Sequence, residues 1–163
     1  MKPGNFSYFL PKLCQHGVKF ILIGGGAAIV HGAARTTYDV DILYSREPQN
    51  LKKIVAALDG IQLYYRGTPA GLPFRWDEKT LEQGLNFTFT SSQGDIDLLG
   101  EVAGGGTWET VKPFTENVEI FGVTVPVVSL TKLIELKRAA GRPKDFESIA
   151  ELEAIRDEFR PPS

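Results

Sequence analysis

Three consecutive glycines between two apolar stretches restrict what the first third of this chain can become. Residues 18–23 are apolar apart from Lys19 and rich in β-branched side chains, the pattern of a short buried strand. Gly24-Gly25-Gly26 breaks that run, and residues 27–34 read as a helix entered directly from the glycine turn. Such a bend can let strand and helix pack closely. It can also bring backbone N–H groups and the positive end of a helix dipole up to a phosphate. Two phosphate-binding patterns fail here: the dinucleotide fingerprint needs glycine where Ile29 stands, and no Gly-Lys-Ser/Thr follows to make a P-loop. A nicotinamide-binding dehydrogenase domain is disfavoured on that ground.

The carboxylates say more. Alternate residues of a strand share a face, so Asp39 and Asp41 stand ~7 Å apart on one side while Val40 and Ile42 turn to the other. Asp95 and Asp97 alternate with Ile96 and Leu98 in the same way, following an alternating strand over residues 85–90 and turn chemistry at Ser91-Ser92-Gln93-Gly94. A single pair is explained by an exposed strand or a charge-protected edge. Two pairs gathered on one face would raise pKa values or cost stability unless a cation joined them. Mg²⁺ suits such a place, because it prefers carboxylate oxygens and shares its shell with substrate phosphates.

The remaining pattern predicts a helix over residues 5–16, a helix over 49–58 opened by Pro48, and a strand over 61–65. Residues 67–73 read as loop, and 75–83 carry no decisive pattern. A hairpin is expected across 118–121 and 123–125. Ser129 caps a helix over 130–140 that Gly141 ends, and Pro143 opens a last helix running to about residue 159. This order predicts an α+β or mixed-sheet domain rather than repeated βαβ units. A length of 163 residues corresponds to about one domain, 1–163, with its C-terminal helices from about 129 to 159.

Composition closes off several classes. With 42% hydrophobic and 23% charged residues the chain is expected to fold, not to stay disordered. The longest uncharged stretch, 20–34, is glycine-interrupted and short of the ~20 apolar residues of a membrane span. No apolar signal core follows Met1-Lys2-Pro3-Gly4, so a cytoplasmic location is expected. Cys14 alone cannot form an intramolecular disulfide, and with only His16 and His31 a zinc cage is disfavoured. A net charge of −2 argues against non-specific coating of nucleic acid. Lys132, Lys137, Arg138, Arg142 and Lys144 nevertheless form a local basic segment, read either as a solvated helix face or as a contact for RNA or phosphate.

Ile23-Gly24-Gly25-Gly26-Ala27-Ala28, His31-Gly32, and Arg35-x-Thr37-x-Asp39-x-Asp41-Ile42 together resemble the minimal nucleotidyltransferases of the DNA polymerase β superfamily, and within them the AbiEii-type toxin nucleotidyltransferases. Ile96-Asp97-Leu98 resembles the third acidic element. Ser129-Leu130, Leu133-Ile134, Lys137 and Gly141-Arg142-Pro143-Lys144-Asp145 resemble the C-terminal helices of the same group. The resemblance implies the nucleotidyltransferase fold, a mixed but mostly antiparallel sheet flanked by helices. It implies NTP-dependent nucleotidyl transfer to a hydroxyl with release of pyrophosphate. Asp39, Asp41 and Asp97 would then be the catalytic and metal-holding acids for two Mg²⁺ ions, with Mn²⁺ as substitute. Gly25, Gly26, Arg35, Thr37, Lys137 and Lys144 would bind the nucleotide. Asp95 would be a supporting acid, and Asp145 would cap or orient the last helix. The acceptor expected from the toxin relatives is RNA, a tRNA end. A protein acceptor and a small antibiotic follow, and a silent binding module of the same fold stays open.

Overall fold

The computed structural model describes residues 4–34, 37, 39–69 and 74–159. Asn5 accepts a hydrogen bond from the Tyr8 N–H and so caps α1 (Phe6–Gln15), whose buried face is Phe9, Leu10 and Leu13. β1 (Phe20–Leu22) is buried at all three positions. It runs into α2 (Gly24–Val30), so the glycines form the helix's first turn instead of preceding it. The helix ends sooner than the pattern predicts, because Gly32 takes φ +107 and His31 lies 2.7 Å from the Val128 carbonyl through its Nε2.

β2 (Val40–Tyr44) and α3 (Pro48–Ala57) lie where expected. Asn50, almost wholly buried, joins them to β1. Its side chain accepts from the Lys19 N–H at 2.7 Å and donates to the carbonyls of Lys19 and Ser45. The strand predicted over 61–65 shrinks to β3 (Tyr64–Tyr65), since Gln62 adopts φ +52 and leaves the extended region. Part of the predicted loop, residues 70–73, lies outside the described residues. The unpatterned stretch beyond it contains α4 (Glu78–Gln83), capped by Asp77. β4 (Asn86–Thr90) and β5 (Ile96–Leu99) form the expected hairpin. An unforeseen α5 (Trp108–Val111), started by a Thr107–Thr110 capping box, continues as a 3-10 turn, Lys112–Phe114. β6 (Thr115–Ile120), β7 (Val123–Val128), α6 (Leu130–Ala140) and α7 (Asp145–Glu158) complete the chain, with Gly141 at φ +62 closing α6.

One seven-stranded sheet runs in the order β3-β4-β5-β2-β1-β7-β6. Four pairings are antiparallel, whereas β2–β5 and β1–β7 are parallel. The parallel pairing of β2 with β5 matters most for function: α3, β3, α4 and β4 intervene in sequence, yet the fold sets Asp41 beside Asp97. The flanking Val40, Ile42, Ile96 and Leu98 are completely buried, which fixes the register and therefore the face on which the acids stand. α6 packs against both α2 and α7, bringing the C-terminal helices next to the glycine turn. This is the α+β, mixed and mostly antiparallel architecture expected from the sequence. Among the described residues, no helix is long and apolar enough to cross a membrane.

Candidate active site

Asp39 immediately precedes β2, Asp41 lies within it and Asp97 within β5, so two neighbouring strands deliver three acids to one place. An oxygen from each carboxylate lies within 4.8 Å of one from each of the others. Burial pushes Asp41 up to about 8, with further upward pressure from a hydrogen bond and like charge at Asp97 and from the charge of Asp39. Burial, then Asp97, also raises Asp39, against the opposing pull of Arg66. The Asp39 Oδ1 atom is buried and has no hydrogen-bond partner. An all-oxygen donor set, an orphaned carboxylate oxygen and crowded negative charge together fit a hard divalent cation such as Mg²⁺ or Mn²⁺.

Gly24 explains why the glycine run lies here. At φ +66, its missing Cβ would fall 2.2 Å from Asp41 Oδ2. The other two glycines meet different neighbours: a Cβ on Gly25 would strike Thr37 Oγ1, and one on Gly26 would strike the Phe6 ring and crowd Leu22. Close packing thus accounts for all three, and only Gly24 packs directly on an acid. Gly24→Ala should destabilise the protein by roughly 2–4 kcal/mol, from the left-handed backbone plus the overlap, and displace the Asp41 carboxylate. Urea unfolding with a parallel Mn²⁺ titration checks both effects.

Thr37 donates a hydrogen bond from Oγ1 to the Asp39 carbonyl at 3.4 Å, so it supports the backbone entering the site. Arg35, a nucleotide-binding candidate from the sequence, lies outside the described residues. Beside Asp41 and Asp97 opens a groove of about 480 Å³, with Gly24 at its edge, Leu99, Leu133 and Leu136 among its apolar lining, and Lys137 and Arg142 as its cations. Asp145, at the start of α7, holds those cations in place. It receives Arg142 Nε at 2.6 Å and Nη2 at 3.3 Å, and lies 3.8 Å from Lys137 Nζ. Lys144 is close enough to Asp39 for its charge to favour the ionised carboxylate.

Sequence reasoning overlooked Arg66. This residue follows β3, in the segment that showed least pattern, and its guanidinium reaches across β4 into the acids. Nη2 donates to Asp97 Oδ1 at 2.7 Å and to the Phe89 carbonyl at 2.9 Å. Nε lies 3.4 Å from Asp95 Oδ2, and Nη1 lies 3.8 Å from Asp39 Oδ2. No local signal marks it; only the edge position of β3 brings it over the acids. The basic segment of α6 is also more neutralised than it reads. Lys132 pairs with Glu135, Arg138 with Glu153, and Arg142 and Lys137 with Asp145.

No family model matches the chain, and no curated protein matches it. Solved structures that share its fold include two nucleotidyltransferase-type proteins. The lincosamide antibiotic adenylyltransferase LnuA, solved with lincomycin bound, is 14% identical with a TM-score of 0.61; the match covers 95% of this chain and 99% of that one. A Thermotoga maritima protein designated a nucleotidyltransferase is also 14% identical, with a TM-score of 0.53 over 93% of this chain and 89% of that one. This chain therefore has the nucleotidyltransferase fold. The designations of these two neighbours lend no support to the AbiEii-type subgroup that the sequence resembles.

Proposed function

We propose that the whole chain acts as one divalent-metal-dependent nucleotidyltransferase unit, moving a nucleoside monophosphate from an NTP to an acceptor hydroxyl and releasing pyrophosphate. The observation that carries this reading is the convergence of Asp39, Asp41 and Asp97 beside Gly24, on a fold shared with an adenylyltransferase. Mg²⁺ ions held by the three acids, or Mn²⁺ in their place, would neutralise phosphate charge and make the acceptor hydroxyl more acidic. The chain's own side chains then have distinct tasks. Asp39 and Asp41 fix the reacting end of the triphosphate, and Asp97 takes the acceptor's proton. The acceptor oxygen bonds to the α-phosphorus, the bond from that phosphorus to the bridging oxygen breaks, and pyrophosphate leaves with the electron pair. Lys137 and Arg142, aimed by Asp145, offer positive charge along the groove, with Lys144 near its acidic end. Gly25 and Gly26 contribute backbone N–H groups and Thr37 flanks the phosphates, with Arg35 a nucleotide-binding candidate on the sequence resemblance alone. ATP is the donor we favour.

For the acceptor we place a small hydroxylated molecule first. Two observations support this choice: the pairing of the α6 cations with acids, which leaves less charge for an RNA backbone, and the lincomycin bound to a neighbour that matches almost end to end. A groove of about 480 Å³ with an apolar wall also suits a drug-sized ligand. An RNA end, as in a toxin–antitoxin system, is the second reading, supported by the sequence resemblance.

The test is to incubate the protein with each α-³²P-labelled NTP, Mg²⁺, and in separate reactions a panel of hydroxylated small molecules, total cell RNA, or protein extract. Label should move to one acceptor class and vanish with Asp39→Asn/Asp41→Asn. Transfer that survives in the double variant would refute the assigned mechanism, and the absence of both NTP binding and transfer would leave a silent module.

A further inference from the structure

Four acids and one guanidinium share the upper face of β2 and β5, and the guanidinium is poorly satisfied. Arg66 Nε and Asp95 Oδ2 are both buried and neither makes a hydrogen bond, although they lie only 3.4 Å apart. The guanidinium leans instead toward Asp97 and Asp39, at 2.7 and 3.8 Å. It holds a compromise position between carboxylates and does not form a forked pair with any one of them. Asp95 is also peculiar. Its side chain is 2% exposed, yet it does not belong to the group of acids whose oxygens converge closely enough to hold one ion. A buried carboxylate needs a partner, and among the described residues Arg66 is the cation that lies against it, at 3.4 Å.

We propose that Arg66 is a built-in counter-cation: it neutralises Asp39 and Asp97 when no metal is bound, competes with the metal for them, and withdraws onto Asp95 when the metal enters. This inference rests on the metal-dependent reading above. The geometry suits a side-chain swing with a fixed backbone. The Arg66 N–H donates to the Thr88 carbonyl at 2.9 Å, extending the β3–β4 pairing, and Thr68 donates from both N and Oγ1 to the Tyr65 carbonyl, tying the next turn around Gly67 at φ +87. The Phe89 carbonyl can keep one Nη2 hydrogen bond throughout. Withdrawal would complete the missing bond from Nε to Asp95 Oδ2 while freeing oxygens on Asp39 and Asp97. The protein would thus avoid leaving Asp39, Asp95 and Asp97 uncompensated before metal arrives, at the expense of weaker metal binding.

The experiment compares wild type, Arg66→Gln and Arg66→Lys by calorimetric titration with Mn²⁺ and by thermal melting with and without it. Arg66→Gln should bind Mn²⁺ about tenfold or more tightly, because a unit positive charge has left the immediate surroundings of the ligands. Its metal-free melting temperature should fall below wild type, and saturating Mn²⁺ should close that gap. Arg66→Lys keeps the charge but cannot span three carboxylates, so it should lie between the two; it also carries the comparison if Arg66→Gln does not fold. A purely structural arginine would lower stability without raising affinity. Unchanged Mn²⁺ affinity in the variants would overturn the competition, and weakened affinity would make Arg66 a support for Asp97 instead. If neither wild type nor either variant binds Mn²⁺, the metal-dependent reading fails and takes this inference with it.

Discussion

Asp41→Asn should lower nucleotidyl transfer by roughly 10³-fold or more while leaving the metal-free protein as stable as wild type, or more stable, at alkaline pH. Asp41 is the middle acid, two residues from Asp39 along the strand and directly beside Asp97 on the neighbouring one. On the proposed reading, its loss removes one of the three acids that would hold the metal facing developing phosphate charge. A deficit of several kcal/mol in transition-state stabilisation follows, and each 1.36 kcal/mol is a factor of ten. Stability should move the other way because burial first, and then the charges of Asp97 and Asp39, disfavour the ionised Asp41 carboxylate. Asparagine keeps the shape, drops the charge and can donate its own N–H to Asp97, the side chain to which Asp41 is hydrogen-bonded. Label transfer and melting in EDTA, measured on the same preparation, check both halves. Residual activity within tenfold of wild type would exclude Asp41 from the catalytic acids. A large drop in melting temperature would mean that the variant fails by unfolding.

The sequence carries this site unevenly, and the reason lies in how local each feature is. The alternation of Asp41 with Val40 and Ile42, and of Asp97 with Ile96 and Leu98, is a property of single strands, so the shared acidic face could be read before any coordinates. The helix from Ser129 to Gly141 was equally legible, because a hydroxyl cap and a left-handed glycine are local devices. Arg66 was not, since its role depends on β3 being the far edge strand and on β4 lying between it and the acids. The three glycines look alike in the sequence. Only the strand–helix angle determines that Gly24 faces Asp41 while Gly26 faces Phe6. The basic run over 132–144 left two readings open for a related reason: of the acids that pair with it, Asp145 and Glu153 come from α7, packed alongside. A strand over 61–65 was favoured by composition and cut short by the single backbone reversal at Gln62.

The raised Asp41 also fixes how stability and metal binding should vary with pH. In the unfolded chain an aspartate titrates near ~3.9, whereas in the folded protein Asp41 titrates at about 8. Between those values the folded state holds a proton that the unfolded state has lost. Protonation therefore favours folding: its contribution is fully present below about pH 4 and is lost progressively as pH rises through about 8. Metal-free protein should accordingly lose a few kcal/mol across that window and level off above it. A divalent cation requires the ionised carboxylate, so binding must expel the proton below pH 8 and grows tighter as pH rises. The Mg²⁺-induced rise in melting temperature should then be small at pH 6 and large at pH 8.5, with proton release on binding detectable at pH 7 in weakly buffered solution. Asp41→Asn should flatten the metal-free pH profile and abolish the proton release. A wild-type Mg²⁺ shift of equal size at pH 6 and pH 8.5 would mean that Asp41 already carries its charge at neutral pH. The ion pairs of Arg66 with Asp39, Asp95 and Asp97 would then be enough to keep the Asp41 carboxylate ionised.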